Sequence, residues 1–225
     1  MNVKPLLFTN ALLILAMLAL TVWVWPSIPD DASLPVHWGI EGTADRYADK
    51  TEALLVLPLI AAGVTVLFLI LPRFDPRRRN LEQSGKLWNA AAIGAVFVVA
   101  GAHLFLVLAA TGQAHDARNF IIPGISGLFI VLGNYLGKTR SNWFAGIRTP
   151  WSLSSDYSWE RTHRWAGRLF VLTGVASFAA WVIADAATAM IVLVGAIFAT
   201  TVISVALSYI YWRADPERIE ANGDT

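Results

Sequence analysis

The chain has 225 residues, of which 56% are hydrophobic and only 15% are charged, and its formal net charge is +1. A soluble domain carries about 25% charged residues, so this composition excludes a surface that lies mostly in water. The chain contains no cysteine, which excludes disulfides, thiolate metal ligands and thiol nucleophiles. It shows no basic fold or motif for nucleic acid, and no nucleic-acid partner is expected.

Six uncharged runs indicate membrane spans. They cover residues 5–29, 53–72, 87–115, 119–137, 169–184 and 186–212. A helix that crosses the hydrocarbon needs about 20 apolar residues, with a range of roughly 17–25, and five of the runs reach that length. The run at 169–184 falls just short, and it is long enough if the Arg168 side chain snorkels to the headgroups. The sequence therefore predicts an all-α integral membrane protein with six transmembrane helices in one membrane domain.

The first run is predicted to be an uncleaved span. Its apolar stretch is longer than the roughly 7–15 residues of a signal-peptide core, and no small-x-small cleavage site precedes the loop. Trp23, Trp25 and Pro26 are typical of a helix end at the membrane interface.

The distribution of Lys and Arg orients the predicted bundle. Fourteen of the seventeen Lys and Arg residues fall on one side of the six spans, and the acidic connection at 27–52 lies on the other. The side rich in Lys and Arg is normally cytoplasmic. We therefore predict cytoplasmic N- and C-termini, one acidic outer loop at 27–52 and one long cytoplasmic loop at 138–164. The predicted location is the cytoplasmic (inner) membrane of a bacterium.

The outer loop contains the stretch LPVHWGIEGTADRYADK. Its two glycines mark a turn, and Asp45 or Asp49 is expected to cap the helix that follows. Glu52, three residues after Asp49, completes a pattern like a capping box. Local structure does not explain why His37, Glu41 and Asp45 gather in one short stretch.

The cytoplasmic loop opens with the triplet GKT at 137–139. This triplet resembles the end of a phosphate-binding loop. That motif requires an earlier glycine at the position of Leu132, whereas the available glycine is Gly133. A membrane helix precedes the triplet, where the motif requires a strand. Nucleotide binding at this triplet is rejected.

The four histidines are His37, His103, His115 and His163. His103 lies roughly 7–8 Å from the middle of the third span, at about 1.5 Å per residue, and ionisable groups at such depth are functional candidates. The simpler interpretation is a neutral imidazole bonded to a neighbouring helix. The alternative is a metal or enzyme site that combines His37 and His103 with the acids of the outer loop, although spacing alone specifies no metal.

Two stretches carry a family resemblance. The outer-loop stretch resembles the small domain of unknown function, with its LPxHFxxxGxxDxxxxK pattern, that stands at the front of SdpI-type immunity proteins. Trp38 stands where that pattern usually has phenylalanine. Residues 133–168, GNYLGKTRSNWFAGIRTPWSLSSDYSWERTHRWAGR, resemble the signature of the SdpI-type family. The matching residues are Asn134, Gly137, Asn142, the run from Gly146 to Trp151, Trp159, Thr162, His163 and Arg164.

This resemblance implies a membrane protein that protects a cell from a secreted, membrane-active toxin peptide. It also implies that such a protein can signal the toxin by drawing a cytoplasmic repressor to the membrane. The expected partners are membrane lipids, a toxin peptide outside and a repressor inside, and no cofactor is expected. The predicted organisation is a two-span unit at 1–72 followed by a four-span unit at 73–225.

The GIRTPW stretch cannot be helical throughout, and it is predicted to lie on the cytoplasmic face, partly folded back against the helix ends. Pro150 pushes Thr149 toward extended geometry, and such backbone at the membrane must bury its amides in protein or water. Arg148 is expected to hold a lipid phosphate, a helix C-terminus or a carboxylate. The three tryptophans expected at the headgroups are Trp143, Trp151 and Trp159.

A new helix is predicted to begin near Trp159. The candidate caps are Ser155, Asp156 and Ser158. The helix carries an apolar stripe with Trp159 and His163, so His163 is expected to pack against GIRTPW. Its second, basic stripe consists of Arg161, Arg164 and Arg168.

Three functions remain open on the sequence: toxin immunity with sensing, transport of a hydrophobic small molecule, and a membrane enzyme. A transporter requires polar groups along several spans, and an enzyme requires acid, base or metal groups at one depth. The cytoplasmic segment either only holds spans 4 and 5 together, docks a partner protein, or forms the inner part of a ligand path. The candidate functional residues are His37, Glu41, Asp45, His103, Asn134, Asn142, Arg148, Thr149, Pro150, Trp151, Trp159 and His163.

Overall fold

The computed structural model describes residues 1–39, 41–113 and 116–222, so His115 lies outside the described residues. Within that part of the chain, six helices are long and apolar enough to cross a membrane, as the sequence predicts. They are α1 (Lys4–Val24), α2 (Lys50–Ile70), α4 (Gly85–Ala110), α5 (Arg118–Leu136), α7 (Asp156–Ile183) and α8 (Ala186–Arg213). The short helices are α3 (Arg78–Gln83), α6 (Pro150–Leu153) and α9 (Pro216–Asn222).

The long helices pack as two groups, one of α1, α2 and α4 and one of α5, α7 and α8, which meet where α4 contacts α5. Helix α4 contacts α1, α2 and α5, and α7 contacts α5 and α8. Between α1 and α2, the Asn10 amide donates a 3.1 Å hydrogen bond to the Thr65 hydroxyl. Between α7 and α8, the hydroxyls of Thr173 and Thr200 are 2.7 Å apart. Such polar contacts hold membrane helices together because the lipid offers no competing partner.

Polar side chains fix where three of the spans begin. Asp49 accepts hydrogen bonds from the backbone of Thr51 and Glu52 and so caps α2, as one of the two predicted alternatives. Ser155 caps α7 and Asp185 caps α8. The backbone hydrogen bond from Thr188 is the main reason that the pKa of Asp185 is below its usual value.

Helix α7 is much longer than its uncharged run. It has 28 residues, or about 42 Å at 1.5 Å per residue, against roughly 30 Å of hydrocarbon. The charged turns before residue 169 extend the helix beyond the apolar run, so α7 as a whole is long and apolar enough to cross although its uncharged run is short.

The outer loop departs from the all-α prediction. Strands β1 (Leu34–Trp38) and β2 (Ala44–Ala48) form an antiparallel hairpin. The Gly39 amide donates to the Thr43 carbonyl at 2.9 Å, and Gly42 has the positive φ of 81° that a tight turn requires. Glu52 pairs with Arg46 on the hairpin, so the predicted capping box with Asp49 is wrong.

A buried lysine attaches this outer loop to the bundle. Lys50, at the start of α2, is 5% exposed, and its ammonium group lies 4.7 Å from the centre of the Trp25 ring. The ammonium donates to the Ile28 carbonyl at 2.7 Å and to Asp30 at 2.9 Å. The hydrogen bond from Lys50 lowers the pKa of Asp30.

Glycines allow α5 and α7 to touch through their backbones. A Cβ added to Gly133 would lie 2.6 Å from the Gly167 carbonyl oxygen, and a Cβ added to Gly167 would lie 2.7 Å from the Gly133 oxygen. Further along the same crossing, a Cβ on Gly174 would lie 2.5 Å from the Ser126 oxygen. Small residues at such crossings are the usual means of close helix packing in membranes.

We expect Gly167→Ala to destabilise the protein by about 1–3 kcal/mol, because the added methyl group forces α5 and α7 apart. Thermal denaturation of the purified protein in detergent measures the change. Gly195→Ala is the matched control, since its added methyl group meets nothing within 4 Å. Equal stability of the two variants would contradict the close α5–α7 contact.

The absence of cysteine makes the predicted topology directly testable. With a membrane-impermeant maleimide on intact cells, Asp31→Cys in the outer loop should be labelled. Arg79→Cys, on the opposite side, should be labelled only after lysis. The unaltered chain provides the blank, and the reverse pattern would overturn the orientation derived from Lys and Arg.

Candidate functional site

The segment that connects α5 to α7, residues 137–155, is held by two aromatic side chains at the start of α7. Trp159 and His163 are one helical turn apart and are 1% and 0% exposed. Their rings stack with centroids 3.9 Å apart and an interplanar angle of 20°. The predicted placement of Trp159 at the headgroups is wrong, because its ring is enclosed between α7 and the segment.

Both rings bind the backbone of the segment. The His163 Nε2 atom accepts a 2.9 Å hydrogen bond from the Ile147 amide, and Nδ1 lies 2.8 Å from the Trp159 carbonyl oxygen. The imidazole is therefore neutral, with its proton on Nδ1, because an amide can only donate and a carbonyl can only accept. The Trp159 indole donates to the Thr139 carbonyl at 3.1 Å.

The contact with His163 requires glycine at position 146. Its φ of 121° belongs to glycine, and a Cβ added there would lie 2.3 Å from His163 Nε2. Any side chain at this position would push the loop away from the imidazole. The packing of His163 against GIRTPW, expected from the helical stripe, is confirmed.

Asn142 organises the first half of the segment. The residue is fully buried, and its amide group donates to the carbonyls of Arg140 at 2.8 Å and Ala145 at 3.1 Å. Its oxygen accepts from the amides of Phe144 at 3.0 Å and Ala145 at 2.7 Å. All four hydrogen-bonding capacities of the side chain are used, so Asn142 stabilises the loop and has none left for a ligand.

The connection between α2 and α4 supports the segment from one side. Asp75 is 5% exposed and accepts a 3.1 Å hydrogen bond from the Trp143 amide. The Arg77 guanidinium donates to the Ser141 hydroxyl and, at 3.0 Å, to the Leu153 carbonyl. On the sequence, Arg77 counted only among the Lys and Arg residues that orient the bundle. This contact was missed because the partners are more than 60 residues away in the chain.

The other end of the segment contacts α8. Thr149 has the extended ψ of 160° that Pro150 demands, and it forms a capping box with Ser152 at the start of α6. The Thr149 hydroxyl donates to the Ser208 hydroxyl at 2.8 Å. Trp151 packs edge-on against Tyr209, with ring centroids 5.1 Å apart. Thr149, Pro150 and Trp151 thus connect the loop to the last span.

Arg148 is exposed, as is Pro150 in the same GIRTPW stretch. The Arg148 guanidinium donates to the Trp143 carbonyl at 2.8 Å. One side of the group therefore binds the loop backbone, and the rest is exposed. Trp143 is 47% exposed, which agrees with an interfacial position. Asn134 is exposed on α5, and its side chain bonds only the Ile130 carbonyl of its own helix, at 2.8 Å.

His103 is a buried connector between α4 and α1. Its Nε2 atom is 3.1 Å from the Thr21 hydroxyl, and that hydroxyl donates to the Leu54 carbonyl of α2 at 3.1 Å. Because the Thr21 proton is used, Nε2 carries the proton and donates to Thr21. This arrangement matches the predicted neutral imidazole bonded to a neighbouring helix.

The outer-loop acids and histidines do not converge on His103. His37 and Asp45 form an exposed pair on the hairpin, with Nδ1 and Oδ1 2.6 Å apart, and Glu41 is exposed at the turn. His103 is fully buried in the bundle. Among the described residues, no group of three or more His, Asp and Glu side chains is arranged to hold a metal ion.

An apolar cavity of about 580 Å³ lies beneath the hairpin, between α4 and α5. The hairpin contributes His37 and Trp38 to its lining, and α4 contributes Gly101 and Phe105. A Cβ added to Gly101 meets nothing within 4 Å, so the glycine faces open space. The cavity lies on the predicted outer side, and its mostly apolar lining can take an apolar group.

We expect His163→Phe to destabilise the protein by about 1–3 kcal/mol, because the partly buried Ile147 amide loses its acceptor. The measurement is thermal denaturation in detergent. His37→Phe is the control: its pair with Asp45 is exposed, and such pairs contribute about 0–1 kcal/mol. A His163→Phe variant as stable as the control would contradict the structural role of this histidine.

Comparison with known proteins agrees with the two stretches that carry the resemblance. The model of the SdpI/YfhL protein family matches residues 138–211, and that of a domain of unknown function (DUF1648) matches residues 12–62. Immunity protein SdpI of Bacillus subtilis (strain 168) is 21% identical over 156 residues, which is 68% of this chain and 70% of that protein. No solved structure matches the chain significantly. The chain therefore matches the SdpI/YfhL family over residues 138–211 and DUF1648 over residues 12–62, which agrees with the resemblance to SdpI-type proteins.

Proposed function

We propose that this protein gives its cell immunity to a secreted, membrane-active peptide. The observation that carries the proposal is the similarity to an immunity protein over 68% of this chain, together with the match of the signature segment to the SdpI/YfhL family. A membrane protein lies in the same membrane that such a peptide would damage.

The cavity beneath the outer hairpin is the proposed contact for the peptide. Its lining is mostly apolar, with Trp38, Phe105 and Phe120 around the space. An apolar side chain of the peptide gains about 25 cal/mol per Å² when it leaves water for such a cavity. The exposed His37–Asp45 pair lies on the hairpin beside it and offers a polar contact at the rim.

The segment at 137–155 is the proposed site for signalling to a cytoplasmic partner. Its backbone is fixed by α7 and the α2–α4 connection, while Arg148 and Trp143 remain exposed. Arginine and tryptophan are enriched among the residues that dominate protein interfaces. The same segment bonds α8 through Thr149, so a shift of that helix on the outer side would alter the surface that the partner meets.

The direct test is membrane depolarisation. Cells with and without the protein, at matched membrane levels, are challenged with secreted membrane-active peptides of the source organism and followed with a potential-sensitive dye. Expressing cells should keep their potential while the others depolarise. Equal depolarisation despite correct insertion would contradict immunity to the peptides tested and would favour the transporter or enzyme alternative.

A cavity-filling variant tests where the peptide is met. We expect Gly101→Leu to abolish protection, because Gly101 lines the outer cavity and a Cβ added there meets nothing within 4 Å, so the new side chain enters the cavity. Gly195→Leu on α8 is the control, since a Cβ there also meets nothing within 4 Å and the residue lies outside the cavity. Full protection by the Gly101→Leu variant would exclude the cavity as the contact.

A charge variant separates signalling from protection. Arg148→Gln should leave protection intact and abolish repressor recruitment, measured as membrane association of the candidate repressor after peptide challenge. Arg161→Gln removes an exposed charge elsewhere on the same side and should change neither. Loss of protection in the Arg148→Gln variant would contradict a role confined to signalling.

A further inference from the structure

A groove between α5 and α7 combines a basic mouth with an apolar wall. Its volume is about 610 Å³, and we refer to it as the basic groove. Its lining residues are Gly133, Asn134, Gly137, Lys138, Arg164, Gly167, Arg168, Val171, Leu172 and Val175. The glycines at which α5 and α7 touch are among these lining residues.

The mouth carries three cations. Lys138 comes from the end of α5, and Arg164 and Arg168 lie one turn apart on α7. Arg164 is 3.5 Å from Glu160, but that carboxylate also binds Arg140 at 2.7 Å. Within the described part of the chain, Lys138 and Arg168 form no ion pair, and none of the groove-lining residues is acidic. The mouth therefore has an excess of positive charge that the chain itself does not neutralise.

The wall below the mouth is hydrocarbon. Val171, Leu172 and Val175 continue along α7 from Arg168 into the uncharged run, and the side chains of Leu172 and Val175 are 62% and 50% exposed. From Arg168 to Val175 the helix rises about 10 Å. Arg168 thus marks the boundary between the headgroups and the acyl region, with its guanidinium 4.9 Å from the centre of the Trp165 ring.

We propose that the basic groove binds an anionic phospholipid of the adjacent leaflet. The phosphate is held by Lys138, Arg164 and Arg168, and the first part of an acyl chain lies along Val171, Leu172 and Val175. Basic pockets between transmembrane helices on the cytoplasmic side are suited to anionic lipid headgroups. Arg164 and Arg168 of the basic stripe on α7 thus have a binding role that is separate from the proposed immunity function.

The apolar wall distinguishes a lipid from a free phosphate ion. A soluble phosphate would use the three cations only, while a phospholipid also covers the exposed leucine and valine side chains. The site does not depend on the proposed contact with a toxin peptide, because the basic groove lies between α5 and α7 and the outer cavity lies between α4 and α5.

Lipid binding is measured with the purified full-length protein in detergent, by native mass spectrometry with dioleoyl-phosphatidylglycerol and dioleoyl-phosphatidylcholine. We expect the anionic lipid to bind more tightly and to lose affinity as salt is raised. Lys138→Gln and Arg168→Gln should each weaken its binding about fivefold, the effect of one base near an anionic lipid surface. Asn134→Trp should weaken binding of both lipids, because the larger side chain occupies the groove and leaves its charge unchanged.

Arg161→Gln is the matched control, because that arginine is on the same helix but stacks on Tyr157 outside the groove. Its anionic-lipid affinity should equal that of the unaltered protein. A loss as large as that of Arg168→Gln would mean that only diffuse charge attracts the lipid, which would overturn the site. Competition by glycerol phosphate at concentrations equal to the lipid would overturn the role of the apolar wall.

Discussion

The structure depends on one constraint: where a segment packed between membrane helices leaves the helical conformation, its backbone amides must be bonded by other groups. Residues 137–155 meet this constraint largely through side chains. Trp159 and His163 bind the carbonyl of Thr139 and the amide of Ile147, and Asn142 binds four backbone groups of its own loop. An unbonded buried polar group costs about 1–3 kcal/mol, so each of these side chains stabilises one conformation of the segment.

The same contacts join parts of the chain that are far apart in sequence. The segment is bonded to the α2–α4 connection through Asp75 and Arg77 and to α8 through Thr149. On the opposite side, Lys50 attaches the hairpin to the end of α1. Helix α4 lies between the two family matches in sequence and contacts α1, α2 and α5, so it packs the N-terminal helices against the rest of the bundle. This arrangement gives the proposed immunity function an outer contact and an inner surface in one packed domain.

Composition was sufficient to predict the six spans, because an uncharged apolar run of about 20 residues is typical of a helix that crosses the hydrocarbon. Local rules also found the caps at Asp49 and Ser155, since a cap is decided by the next three backbone amides. The hairpin was missed because its strands are only five residues each and contain charged side chains that obscure the alternation.

The contact of His163 with the loop was foreseeable from the helical stripe, but the contacts of Asp75 and Arg77 were not, because a single sequence carries no signal for partners more than 60 residues away. The headgroup position expected for Trp159 failed because its enclosure depends on residues 139–147 folding back over it, which a local pattern does not indicate.

The central claim is that residues 137–155 form a fixed structure and not an open loop. Hydrogen–deuterium exchange of the full-length protein in lipid nanodiscs tests it most directly. We expect the amides of Phe144, Ala145 and Ile147 to exchange slowly, as amides bonded to buried side chains do. The amide of Arg148, which belongs to an exposed residue of the same loop, should exchange faster. Exchange of the whole segment at the rate of an unprotected loop would contradict the account.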